Sequence, residues 1–449
     1  MKSTLNVTSG TGILGIALLG FCLQATAAVS FLGRADLPSD ATDLSGLTAP
    51  LEDGTPGNRL GAFGSGIAYA GGTRFLAVPD RGPNASTYNP AVDNTTSFQA
   101  RFHEFNIAVG AGAPVVTLVR TRTLSDAQGA FTGLSSGFDA TNSPASRRLD
   151  PEEIRVSNDG ASVFISDEYG PFLYQFDRQT GARTRVFDLP AKFKIAAPAS
   201  TSAAEIVGNT SGRVANRGME GLAISPDGRT LLGVMQNPLI QDGGREGLNV
   251  RLLKVDIQSG QTQEFVYTLA NKSNGLNGAV AINQNEFLVI ERDGRAGTQA
   301  VFKRIYKINI SAATDVSQTA TLPMTGLPGP ITPVVKTNFI NLLDPAFGLS
   351  GANFPEKIEG VALGQRLADG RISLVVSADN DFLAAPNSIL SFAVDAADLN
   401  YVPQQIGVNL NLVPVPLGGS WLIVLLSLGF IGFAAYERYV KTGSNRSIL

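Results

Sequence analysis

The sequence predicts an all-β protein: a β-propeller, with six blades favoured and five to seven compatible with the chain, followed by one C-terminal transmembrane helix. Three observations predict it. A strand–turn–strand unit recurs five times along the chain; 49 glycines and 24 prolines punctuate short apolar runs instead of leaving room for long helices; and one uncharged stretch of bilayer length lies near the end.

Residues 1–27 read as a signal peptide. Lys2 precedes an apolar stretch from Ile13 to Cys22, and Ala25-Thr26-Ala27 supplies a small-residue cleavage site before Ala28. Cys22 is the one cysteine, so the processed chain has no thiol and can form neither a disulfide nor a thiolate metal site. His103 is the one histidine, which excludes any mechanism needing two imidazoles. With 35 basic and 38 acidic side chains, a formal net charge of -3 and no block of like charge, nothing suggests a nucleic-acid partner.

After a lead-in, 28–60, the repeats occupy 61–400. Gly64-Ser-Gly-Ile-Ala-Tyr leads through Gly71-Gly72 to FLAVPDRGPN; Glu152-Glu-Ile-Arg-Val leads through Asp159-Gly160 to VFISDEYG; Glu220-Gly-Leu-Ala-Ile leads through Asp227-Gly228 to LLGVMQNPL. Asn277-Gly-Ala-Val-Ala-Ile leads through Asn285 to FLVIERDG, and Glu359-Gly-Val-Ala-Leu through Asp369-Gly370 to SLVVSADNDF. Alternating residues such as Ile154, Val156 and Val163, Ile165 read as paired strands closed by Asn158-Asp159-Gly160, which gathers Glu152, Glu153, Asp167 and Glu168 at the open end of one hairpin. FLYQFD, RLLKVDI, EFVYTL and RIYKINI supply outer strands. Unit starts lie about 60 to 90 residues apart, against roughly 40 to 45 for a regular four-stranded blade, so insertions or unseen blades fill the difference. In a propeller the first strand of each blade lines the axis, and acids at the unit starts converge at one mouth.

A linker, 401–416, carries the Val413-Pro-Val-Pro motif. Leu417 to Tyr436 contains no charge and matches the roughly 20 residues of a membrane-spanning helix, and Arg438, Lys441 and Arg446 in the tail, 437–449, keep that end cytoplasmic. This end resembles the sorting tails of exported bacterial proteins of the PEP-CTERM and VPLPA-type groups, with Val415 where the better-known motif has Glu. The expectation is an exported protein of the cell envelope, anchored by its C-terminal helix unless a sorting protease removes it.

The blocks RLDPEEIRVSNDGASVFISDEYGPFLYQFD, NRGMEGLAISPDGRTLLGVMQNPL, FLVIERDGRAG followed by KRIYKINI, and KIEGVALG followed by VVSADNDF are similar to successive blocks of the phytase-like esterase family of secreted proteins, over roughly 61–394. The resemblance implies a propeller-like fold and hydrolysis of esters, with phosphate esters the suggested substrate.

On these blocks the candidate ligands are all oxygen donors: Asp80, Glu152, Asp167, Glu168, Glu220, Glu291, Asp379 and Asp381, with Asn237 and Asn380 as neutral ligands. Such a set suits a hard cation, and Ca²⁺ is the expected cofactor. Asp159, Asp227 and Asp369 precede glycine and read as turn residues instead. Glu152, Glu220 and Glu359 open their strand pairs alike and form the expected catalytic ring, in which a metal-activated water replaces the missing histidine base. Arg81, Arg217 and Arg292 lie beside these acids, with Arg81 and Arg292 favoured for binding a phosphate or for bracing carboxylates. Gly133-Leu-Ser-Ser-Gly137 matches a nucleophile-elbow pattern, but no histidine follows it. Two other readings keep the fold: a calcium lactonase or carboxylesterase, for which the arginines are not needed, and a non-catalytic binding or scaffold propeller of the envelope.

Overall fold

The computed structural model describes residues 29–407. The signal peptide, the segment 417–436 and the tail 437–449 lie outside the described residues, and no helix among the described residues is long and apolar enough to cross a membrane.

Five four-stranded antiparallel sheets form the blades of a closed ring. Blade 1 runs outward through Gly66–Tyr69, Arg74–Val78, Arg101–Ala108 and Val115–Thr123. Blade 2 comprises Pro151–Val156, Ser162–Asp167, Leu173–Asp177 and Arg183–Val186, and blade 3 Met219–Ile224, Thr230–Met235, Asn249–Asp256 and Thr262–Thr268. Blade 4 comprises Gly275–Ala281, Glu286–Arg292, Lys303–Asn309 and Val335–Asn341. Blade 5 takes three strands from the end of the domain, Lys357–Arg366, Ile372–Asp379 and Asn387–Val394, and its outer strand Ser30–Leu37 from the lead-in. Pairing the two ends of the domain in one blade closes the ring and covers edges that would otherwise be open.

The six blades favoured from sequence are therefore corrected to five. The five repeats visible in the sequence are the five blades, and the extra spacing is filled by excursions. These include the ribbon of Ser125–Asp126 with Gly129–Ala130, the short helix Ser202–Gly208 and the stretch 310–334 between the outer strands of blade 4.

Alternation buries apolar side chains on both faces of each blade, and the core lies between neighbouring sheets. Ile154, Val163, Phe172 and Tyr174 of blade 2 pack with Leu76, Val78 and Phe102 of blade 1, for example. The Asp-Gly turns behave as their chemistry requires: Gly160, Gly228 and Gly370 have φ of 73°, 71° and 89°, and Asp159, Asp227 and Asp369 accept hydrogen bonds from the backbone N–H two residues on.

One side chain fastens the inner strands together. Arg155 donates from Nε to Leu222 O (2.8 Å), from one terminal nitrogen to Ile67 O (2.6 Å) and Ile154 O (2.8 Å), and from the other to Ala279 O (2.5 Å) and Val361 O (3.1 Å). Those carbonyls belong to five different blades. The Glu153 carboxylate, fully buried, lies 2.9 Å from the same guanidinium.

Candidate functional site

Four of the five inner strands carry a β-bulge where they enter the mouth. The pairing skips Glu152 between Pro151 and Glu153, Glu220 between Met219 and Gly221, Asn277 and Gly278 between Leu276 and Ala279, and Glu359 between Ile358 and Gly360. A bulge breaks the alternation of a strand and re-aims a side chain. Here Glu152, Glu220, Asn277 and Glu359 all line one cavity of about 170 Å³. A second tier, drawn from the ends of the second strands and the residues just beyond them, adds Asp80, Glu168, Gln236 and Arg292; loops contribute Arg81, Asn216, Arg217 and Glu356, and the inner strand of blade 5 begins with Lys357.

The lining holds six carboxylates against four cationic side chains, an acidic balance that a bound cation would offset. Arg81 braces one side, 3.2 Å from Asp150 and 3.5 Å from Glu168, while its backbone N–H donates to Asp150 Oδ1 at 2.8 Å. Arg292 pairs with Glu359, and Lys357 with Asp381 and, at 3.7 Å, Asp379. Glu220 is held by amides: Gln236 donates to one oxygen and Asn277 to the other at 3.3 Å. Arg217 donates to Gln236 Oε1 at 2.7 Å and makes no ion pair with a carboxylate among the described residues. Glu152 makes no hydrogen bond or ion pair among the described residues, although it is only 6% exposed.

Burial and mutual repulsion dominate the electrostatics. Glu152 is pushed well above the usual carboxylate range by burial, then by the charges of Glu220, Asp150, Glu168 and Glu359. Glu220 is raised in the same way, by burial and then by Glu168 and Glu359, with Arg292 and Lys357 opposing. Burial lifts Asp80 to about 6, against the pull of Lys357. Lys357 itself is held well above the ordinary lysine value, the carboxylates of Glu359, Asp379 and Asp381 outweighing its burial.

A hard cation fits this donor set. Carboxylate oxygens of Asp150, Glu152 and Glu168 lie within 4.8 Å of one another, as do those of Asp80, Asp379 and Asp381. Asp150 Oδ2 faces the Arg81 guanidinium at 3.2 Å, whereas Asn277 Oδ1 is a buried oxygen without a hydrogen-bond donor among the described residues. Such acceptors are costly when orphaned and suit coordination to Ca²⁺.

Several residues singled out in the sequence lie elsewhere. Asp167 accepts from the backbone N–H groups of Asp150 (2.9 Å), Gly170 (2.7 Å) and Phe172 (3.2 Å), so it positions Asp150 rather than facing the cavity. Glu291 is enclosed by Tyr267 Oη, Ala270 N, Asn274 Nδ2 and Lys336 Nζ. Asn380 accepts from Ala62 and Phe382 and donates to Leu383 and Ala385, with no capacity left for a metal. Asn237 donates to Asn274 O at 3.4 Å, outside the cavity lining. Asp379 and Asp381 flank a neighbouring cavity through Lys357. Ser135 of the elbow-like pattern donates to backbone carbonyls of Val92 and Ser200, and His103 is sealed in the third strand of blade 1 beside Thr121.

The sequence reading missed Asp150, Gln236, Asn277 as a ring member, and Lys357. Asn277 had a signal, since it occupies the unit-start position taken by glutamate in blades 2, 3 and 5. Asp150 had none, because its partner Arg81 is 69 residues away.

The chain is similar, at 29% identity, to an uncharacterized secreted protein of Arthroderma benhamiae, the match covering 60% of this chain and 64% of that one, so the chain spans less than two thirds of that relative's length. Among solved structures it is similar to glutaminyl cyclase of Myxococcus xanthus, at 10% identity and a TM-score of 0.36, covering 82% of this chain and 97% of that one. It is also similar to hydrazine synthase of Kuenenia stuttgartiensis, at 10% identity and a TM-score of 0.33, covering 75% and 80%. The profile described as phytase-like, "esterase-like activity of phytase", matches residues 58–382, which contain every blade's inner strand and the whole lining of the mouth; the protein belongs to that family.

Proposed function

We propose that the protein is an exported, calcium-dependent hydrolase of esters, with phosphate monoesters preferred. The observation that carries this is Glu152, a buried carboxylate with no partner among the described residues, close to Asp150 and lining with Glu168 and Glu220 a cavity that also holds guanidinium groups. Asp150, Glu152, Glu168 and Asn277 would hold the cation, which supplies positive charge to offset that developing on the phosphoryl oxygens. Glu220, its orientation fixed by Gln236 and Asn277, positions the attacking water and takes up its proton. Arg217, with no carboxylate ion pair among the described residues, binds the anionic end of the substrate, and Arg292 and Arg81 keep the surrounding acids in place. Export agrees with the secreted relative, while anchoring through 417–436 and processing by a sorting protease rest on the sequence alone.

One observation favours a second reading, hydrolysis of a neutral carboxylic ester or lactone: Arg81 and Arg292, the arginines expected to meet phosphate, are both paired with carboxylates. The test is hydrolysis of an aryl phosphate, phytate and an aryl acetate, with calcium or with chelator, by the wild type and Glu220→Gln. Chelator-sensitive phosphate release that the variant lacks is the expected result. Acetate turnover alone moves the assignment to carboxylic esters, and silence on all three, with calcium still raising the melting temperature, leaves a binding module.

A further inference from the structure

A second hollow adjoins the mouth. It measures about 750 Å³, against about 170 Å³ for the mouth, and the two share Glu356 and Lys357 in their walls. It lies beside blade 5, and its apolar lining comes from Phe354, Pro355, Leu383, Ala385 and Pro386. Leu383 is half exposed there, while Phe354 is buried. Its charged rim is mostly acidic, with Asp36, Asp379 and Asp381 beside the shared Glu356, and Arg34 already paired with Asp36 at 2.6 Å. Lys357 stands on the divide, tied to Asp379 and Asp381.

Resting on the function proposed above, we infer that the substrate is bipartite: a single ester head seated in the mouth and a bulky, uncharged, apolar or aromatic alcohol seated in the hollow of blade 5. The size of the mouth and the character of the hollow both point this way. Ligand sites that enclose a whole small molecule run from about 300 to 1,000 Å³, so the mouth alone takes a phosphate-sized group and the hollow takes the rest. An acidic rim repels a second phosphate, whereas the apolar floor gains from covering a ring. A polyphosphorylated alcohol such as phytate is therefore a poor fit, and a monophosphate of an aromatic or branched alcohol a good one.

The experiment is calorimetric binding of two non-hydrolysable probes, 1-naphthylphosphonate and methylphosphonate, to the full-length protein with calcium, beside Leu383→Asp and Leu383→Trp. The expected result is at least about tenfold tighter binding of the naphthyl probe, equivalent to about 1.4 kcal/mol. Leu383→Asp should abolish that gap without altering methylphosphonate affinity, and Leu383→Trp should keep it. Equal affinities in the wild type, or a gap unaffected by Leu383→Asp, overturn the inference. Selective binding without turnover of any aryl ester retains the hollow and removes the hydrolase; turnover indifferent to the alcohol does the reverse; failure of both probes to bind removes the inference whatever the turnover.

Discussion

Glu152 and Glu153 are neighbours in sequence, both buried, yet they occupy two different regions of the propeller axis. Glu153 sits at the waist, beside Arg155, and that guanidinium satisfies carbonyls of all five blades. Glu152, turned aside by the bulge, sits in the mouth among other acids with no partner among the described residues. The waist sets its one carboxylate against a guanidinium and its donors against acceptors, with burial still lifting Glu153 to about 8 against the pull of Arg155; the mouth gathers several acids with fewer partners. Charge left unbalanced in a buried place marks the function, and charge balanced beside it marks the scaffold.

The largest effect should come from the waist. Arg155→Met strips five carbonyls and one buried carboxylate of their partner, and removing one member of a buried pair costs about 3–5 kcal/mol. Denaturant unfolding should show at least that loss, or no soluble protein, and adding Glu153→Gln should recover part of it. Near-wild-type stability in Arg155→Met would erase the distinction between the two regions.

A buried titratable group away from the axis gives the next effect and serves as a control. His103, enclosed beside Thr121, is depressed to about 3, first by burial and then by Arg101, with Asp43 opposing. The unfolded chain takes up this proton near pH 6.5 and the folded chain only near pH 3, so its contribution is intact above pH 6.5 and is lost as pH falls through that window. The loss at pH 3 is on the order of 4 kcal/mol. His103→Gln should flatten the acid limb of the stability profile without changing calcium binding. An unchanged acid limb would show that His103 is not what limits acid stability.

The smallest effect should come from the mouth. Glu152→Gln removes repulsion among buried acids, so in chelator the variant should be more stable than the wild type, by about 1 kcal/mol. It should also lose most of the stabilisation that calcium gives the wild type. A destabilised variant that still responds fully to calcium would mean that Glu152 is structural after all.

How much of this was legible in the sequence depends on the range of the signal. The five hairpins and the shared position of Glu152, Glu220 and Glu359 are local and periodic, and they were readable. The blade number was not, because an insertion such as 310–334 and an unseen blade lengthen the repeat alike. Asp167 and Glu291 carry the same signature as Glu168, an acid at a strand end. Whether such an acid faces the mouth or accepts backbone N–H groups is decided by a one-residue change of direction that composition does not encode. Asp150 and Lys357 enter the site through partners that only the closed ring brings near.

The Arg155 staple also bears on how this ring can evolve. A guanidinium has five N–H donors, and here they meet six acceptors, one carbonyl from each of five blades and the Glu153 carboxylate. Duplicating a repeat would bring a further carbonyl to a side chain whose hydrogens are already shared, and deleting one would remove an acceptor from it. Blade number in this ring is thus coupled to the hydrogen-bond capacity of a single side chain, whereas an excursion such as 310–334 lies between outer strands, away from it.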